Sequence, residues 1–391
     1  MMPESRPVSS LLALPGAVAL AADGTAVAAG AEASTTVAAH YGDPVAEQRM
    51  LAAGRAIVDL SDRGVITVTG PDRLTWLDSL TSQSLAGLAP GRSAETLLLD
   101  PNGRLEHSIR IIDDGVTAWL LVEASQSAPL AAWFDRMRFM LRVEVADVTE
   151  QWATLGQLVP SGAALLVEPA APNGVPLAWH DPWTAVQSGG WQYAAEEAHP
   201  GAEFPAVELL IERARLTEVV TAVRAGAVGV AGSLALEALR IAAWRPRFGA
   251  EVDDRTIPHE LDWLRSAVHL SKGCYRGQET VAKVHNLGHP PRRLVMLHLD
   301  GSDALLPGHG APVQLEGSVV GTVTSSARHH ELGPIALAVV KRSLDPGAAL
   351  VVETDGVAVA AAQQVVVPPD AGATAGVPRI PRLGAVPRPQ A

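Results

Sequence analysis

The chain has 391 residues, 48% of them hydrophobic and 18% charged, and a formal net charge of -12. That length exceeds one compact core, so two or three domains are expected, and the composition is that of a folded globular chain. The negative balance excludes a general nucleic-acid scaffold, and no run of about 18 apolar residues is present to span a membrane.

Residues 1–36 are rich in Ala, Gly and Val and read as a flexible leader. Within them "SSLLALPGAVALAADG" makes a poor secretion signal, because Pro15 and Gly16 split the apolar run and Glu4 offsets Arg6. "GVITVTGPDRLTWLDSLTSQ" predicts strand, turn and helix: Val65 to Thr69 is β-branched, Gly70-Pro71 turns the chain, and Leu74, Leu77 and Leu80 recur at helical spacing. "ETLLLDPNGRLEHSIRIID" predicts a hairpin about Asp100-Pro101-Asn102-Gly103, with Glu106, Ser108 and Arg110 sharing one face of its second strand. "APLAAWFDRMRFMLR" predicts an amphipathic helix through Leu130, Trp133, Met137 and Leu141, followed by the strand "VEVADV". Residues 150 to 205 suggest strands with long loops, and "AVELLIERARLTEVVTAV" and "SLALEALRIAAW" read as helices. After Pro290-Pro291 short strands with turn signals indicate an all-β barrel or sandwich, so the whole is α+β.

The only cysteine stands in "LSKGCYRGQETVAKVHNLG". A lone cysteine forms no internal disulfide, which suits a reducing, cytoplasmic setting. The thiolate is the nucleophile and soft-metal ligand, and positive surroundings favour it. Lys272 and Arg276 flank Cys274, and a helix beginning after Gly277 would add its free N–H groups. Gly273 and Gly277 allow positive φ and close approach of a ligand. The pattern therefore points to an accessible, reactive sulfur rather than a small buried residue.

"KGCYRGQE" resembles the signature of the YgfZ-type folate-binding proteins, which assist iron–sulfur protein maturation and are relatives of the glycine-cleavage T-protein, an aminomethyltransferase. "VDLSDRGVITVTGPDRLTWLDSLTSQ", "LLLDPNGRLEH", "LRIAAWRPRFGAEVDDRTIPHE" and "VGTVTSSARHHELGPIALAVVK" are similar to further blocks of that family, in family order, from about residue 40 to 365. The resemblance implies an α+β, three-domain aminomethyltransferase-like ring around a channel for tetrahydrofolate or a one-carbon derivative. Its domains would be a leader at 1–36, two interleaved α+β domains over 37–290 with the second at roughly 150–225, a β-barrel at 291–368, and a disordered tail at 369–391.

The same resemblance assigns roles. Cys274, Lys272 and Arg276 would act on iron–sulfur client or assembly proteins. Glu260, in "TIPHE", would take the pterin edge, with Arg240 and Arg292 for the carboxylate tail, Tyr275 for stacking, and Gly273, Gly277, Gln278 and Glu279 completing the folate-side loop. Arg245, Arg247 and Arg276 are further candidates for the tail, and Trp244 for stacking. The catalytic aspartate of the aminomethyltransferases corresponds to Glu106, one methylene longer, which favours the accessory role over one-carbon transfer. A third reading makes Cys274 an enzyme nucleophile activated by His269 or His285. No metal is expected: His285 and His289 have helical spacing, but Gly288 and Pro290 break the helix. One cysteine is also too few for an iron–sulfur cluster.

Overall fold

The computed structural model describes residues 8–21, 26–27, 36–195, 198–302 and 305–376. Two five-stranded sheets, a small three-stranded sheet near the N-terminus and a closed six-stranded barrel make up the described fold. The first sheet is antiparallel and runs Ser93–Leu99, Leu105–Asp113, Thr117–Val122, Gly64–Thr69, Glu144–Asp147. Its strands other than the edge strand Glu144–Asp147 are β-branched and aliphatic and mostly buried on both sides. One face (Ile66, Val68, Ile109, Ile111, Leu120) packs on Trp76 and Leu77 of the helix Arg73–Leu80 and on Leu130 and Phe134 of the helix Ser127–Met137. The other face (Val65, Ile112, Trp119, Leu121) meets Trp179 and Leu210 of the second sheet. Each fully buried aliphatic side chain in these layers contributes roughly 1.5–3 kcal/mol.

The second sheet runs Ala178–His180, Ala206–Glu212, Trp152–Leu158, Ala56–Asp59, Gly229–Ala231, and only its last pair is parallel. Its strands come from both sides of the first sheet's sequence, so the two domains interleave. Ala206–Glu212, expected to be helical, is a central strand registered with Trp152–Leu158 from Leu158↔Ala206 to Trp152↔Glu212. Val207, Leu209 and Ile211 alternate with Glu208, Leu210 and Glu212, and period two prevails over the helix propensity of Leu and Glu. The helix itself is Leu216–Arg224. The helix Ser127–Met137 also stops short of the expected Leu141, because Phe139 takes a left-handed φ of 49°.

The barrel closes as Arg292–Leu299, Gly333–Lys341, Ser318–His329, Pro312–Leu315, Leu350–Thr354, Val357–Val365. Part of the expected leader is structured. Ser9 caps a short 3-10 turn, Ser10–Ala13, by accepting from the Leu11 N–H at 3.2 Å, and Leu11 is fully buried beside Ile57 and Leu155. Val18–Leu20 pairs with Ala38–His40. At the other end Ala371 is buried, and its carbonyl lies 2.8 Å from His289 Nδ1. The rest of both expected flexible ends, 1–7, 22–25, 28–35 and 377–391, lies outside the described residues. No described helix is long and apolar enough to cross a membrane.

Candidate active site

Hairpin and cysteine loop are built against each other. Asp100 Oδ1 accepts from the N–H groups of Asn102 and Arg104, both at 2.8 Å, which fixes the turn, and Gly103 carries φ 78°. Gly277, at φ 83°, precedes the helix Gln278–Leu287 and docks on this turn. A methyl group at 277 would stand 2.6 Å from the Asp100 carbonyl oxygen and 3.1 Å from Gly103 Cα, so the contact demands glycine. Cys274 is exposed at the turn before this helix.

The cations expected to activate the sulfur are engaged elsewhere. Lys272 donates to the carbonyl oxygens of Asp78, Thr81 (2.9 Å) and Gln83 (2.7 Å), and its side chain is 3% exposed. It thus satisfies carbonyls at the end of the helix Arg73–Leu80 that have no intrahelical donor. Arg276 forms a two-pronged ion pair with Glu106 and lies over Trp133, 5.9 Å from the ring centroid. His107 is stacked on Phe248 and 3.1 Å from the Gln126 amide nitrogen; burial pushes its pKa down to about 4, so it is neutral at pH 7.

A narrow cavity of about 40 Å³, continuous with a partly open cleft, lies at the seam of the two sheets. Five guanidinium groups (Arg63, Arg110, Arg240, Arg245, Arg247) line it with three carboxylates (Asp181, Glu208, Glu237), and Phe204, Leu60 and Leu236 supply apolar wall. Arg110 reaches it from the strand Leu105–Asp113 and Glu208 from the strand Ala206–Glu212. Burial drives the Glu208 pKa up, but the charges of Arg110 and Arg63 outweigh it and hold the carboxyl below its ordinary range. Glu208 is therefore an anion with one oxygen, Oε1, on Arg63 and near Arg110 (3.5 Å). Its Oε2 is buried with no hydrogen-bond partner among the described residues. Arg245 donates to Asp181 (2.9 Å) and Glu95 (2.7 Å), and its remaining Nη1 is likewise buried and unpartnered. Buried polar groups are nearly always satisfied, so this carboxylate oxygen and guanidinium N–H, both on residues that line the cavity, have bonding capacity left for a water or a ligand.

Other expected ligand residues lie away from this cavity. Glu260 is fully buried, and its oxygens accept from Arg292 Nε (3.0 Å) and Nη2 (2.8 Å). Arg292 also donates to Asp253, so the pair clamps the segment Asp253–Glu260 onto the first barrel strand. Both carboxylate oxygens of Glu260 are thus taken by protein, and neither it nor Arg292 lines the cavity. Arg240 does line it, with its guanidinium bonded to Glu237, Glu251 and Ser325. Tyr275 is buried in the core with the Lys272 ammonium 5.5 Å from its ring centroid, and Trp244 is buried at 1% exposure. Gln278 donates to the Lys272 carbonyl; Gly273 and Glu279 are exposed. His285 is held by the Tyr193 hydroxyl at 2.9 Å, and no metal-binding group of three or more His, Cys, Asp or Glu side chains occurs among the described residues.

Cavity and cysteine loop share one strand: Glu106, on Arg276, precedes the cavity residue Arg110 by four positions, roughly 13 Å along the chain. Residues 33–172 match the GCVT N-terminal domain, and residues 292–369 match the glycine cleavage T-protein C-terminal barrel domain. The chain is a relative of the glycine cleavage T-protein. It is similar to an aminomethyltransferase of Nostoc sp., 28% identical over 296 residues, covering 73% of this chain and 77% of that protein. A putative chloroplastic transferase of Arabidopsis thaliana is 24% identical over 290 residues, 70% of this chain and 62% of its own length. The crystal structure of the glycine cleavage system aminomethyltransferase T from Bartonella henselae has the same fold, with a TM-score of 0.65 at 18% identity, covering 90% of this chain and 94% of that one.

Glu208, Arg63 and Arg110 escaped the sequence reading. Glu208 sat in a stretch taken for a helix, where an acid among aliphatic residues reads as solvated. The alternation of "AVELLIE" was the available signal.

Proposed function

We propose that the seam cavity binds tetrahydrofolate or a one-carbon derivative, and that the protein acts through Cys274 as an accessory factor in iron–sulfur protein assembly or repair. The open Glu208 oxygen carries the first half of this reading. A reduced pterin presents adjacent N–H donors on one edge, which an ionised, half-satisfied carboxylate accepts. Arg245, with its open N–H, and Arg247 fit the carboxylates of a folate tail. Bound there, tetrahydrofolate supplies a nucleophilic nitrogen that carries one-carbon units. The second half rests on the resemblance of "KGCYRGQE" to YgfZ-type proteins and on the exposure of the sulfur.

One-carbon transfer to the folate is the second reading, favoured by the relatives named aminomethyltransferase. Against it, the carboxylate at the transferase position, Glu106, is ion-paired with Arg276 and does not line the cavity. Titration of the purified protein with tetrahydrofolate tests the site. Glu208→Gln should weaken binding by about 1.5–3 kcal/mol, the value of charge-assisted hydrogen bonds, while Glu260→Gln should leave it within a factor of two or so. The reverse pattern would move the pterin to Glu260 and defeat the assignment. Cys274→Ala should bind folate normally and fail to restore iron–sulfur enzyme activity in cells. Turnover of a methylamine donor that falls with Glu106→Gln would establish the transferase instead.

A further inference from the structure

We infer that the end of the helix Ser127–Met137 is a contact surface for a second copy of this chain. Phe139 and Met140 are 92% and 93% exposed, with Met137 and Leu141 beside them at 43% and 41%. No other described stretch clusters its large exposed apolar side chains in this way. The knob is not a slack loop. Phe139 holds a left-handed φ of 49°, a conformation that disfavours bulky residues, while Arg142 is pinned by three bonds to the Asp72 carboxylate, one at 2.6 Å. A fixed backbone that turns two adjacent apolar side chains into water presents a surface rather than a failed core.

Charge and shape say what covers it. Over most of its surface a chain of net charge -12 repels its own copies. Around the knob Arg136, Arg138 and Arg142 are interspersed with Asp72, Asp135 and Glu144, three charges of each sign, and two of the arginines are already paired. A rim of balanced charge, with both signs present, lets a two-fold axis set the acids of one copy against the arginines of the other. A shallow, largely polar groove, open to solvent, adjoins the knob between Thr69-Gly70 and Leu141–Val145, so the charged rim carries a recess beside the apolar projection. The four apolar side chains offer roughly 500 Å² per copy, which with the rim reaches the lower range of specific interfaces and sets a weak, reversible dimer.

Sedimentation velocity of the full-length protein over a wide concentration range reads this directly. A monomer–dimer equilibrium should appear, tightened by added salt that screens the net charge. Phe139→Ser/Met140→Ser should raise the dissociation constant at least tenfold with an unchanged melting temperature, both side chains being exposed. Arg138→Glu, which unbalances the rim, should weaken it in the same direction. A monomer at every concentration, or a dimer indifferent to the double substitution, would overturn the proposal. So would a monomer that floats with anionic phosphatidylserine vesicles and loses that binding in the double variant.

Discussion

Lys272 stands next to Cys274 but one, yet the structure makes it a brace rather than an activator. Replacing it by Met keeps the length and apolar stem while deleting the ammonium. Three carbonyl oxygens, of Asp78, Thr81 and Gln83, then lose their donor, and Asp78 loses the cation 3.3 Å from its carboxylate. An acceptor left open in a buried setting costs about 1–3 kcal/mol. These three lie partly within reach of water, so the lower end applies to each, and the sum is roughly 3–4 kcal/mol. Urea unfolding should show a lower midpoint with little change in slope, as expected when stability changes without a change in exposed area. Cys274→Ala, at an exposed site, should stay within about 0.5 kcal/mol of the parent chain. Alkylation of the folded Lys272→Met protein by iodoacetamide should keep the pH profile of the parent. A variant of unchanged stability whose sulfur becomes unreactive would refute the reasoning, because the ammonium would then act on the thiol.

Gly277→Ala should cost at least about 2 kcal/mol, since it combines a left-handed backbone with a methyl group driven 2.6 Å from the Asp100 carbonyl. An unshifted melting curve would mean that the cysteine loop does not rest on the hairpin. Asp262 is fully buried, and burial pushes its carboxyl up to about 7 against the bonds it accepts and the charge of Arg265. Its folded pKa exceeds the unfolded one, so the stability it confers is complete below about pH 4 and is lost as pH rises through about 7. Over that window the slope reaches about 1.4 kcal/mol per pH unit, and Asp262→Asn should flatten it in urea midpoints measured from pH 4 to 8. Parallel profiles for the two proteins would contradict this.

Hairpin, barrel, cysteine turn and the helix after Gly277 were legible because each is written locally: Asp-Pro-Asn-Gly, a proline pair before short alternating strands, glycine at a helix start. Ala206–Glu212 was not, since Leu and Glu favour a helix in isolation and only its two neighbouring strands overrule them. The error carried to the site, hiding Glu208. Glu260 and Lys272 show the complementary limit. Sequence identified them as unusual charged residues beside a motif, but which partner each charge meets depends on Arg292 or on a helix nearly two hundred positions away. Arg240, Arg245 and Arg247 came closer: of the five arginines expected as candidates for an anionic tail these three line the cavity, and Arg245 has one guanidinium nitrogen without a partner.

The interleaving of the sheets also governs how the chain can be made and cut. Ala56–Asp59 leaves the ribosome early, but its outer neighbour, Gly229–Ala231, follows some 170 residues later, and its inner neighbour, Trp152–Leu158, about a hundred. Until then this strand, buried along its whole length in the finished fold, has no ladder on either side, and a nascent chain stalled before residue 152 exposes both its edges. A fragment excised at 150 and 225 would carry only the three strands on one side of the second sheet and would lack the turn that brings Arg63 to Glu208. The seam cavity is therefore a property of the chain from Leu60 to Arg247, and no proteolytic piece cut within that span should retain it.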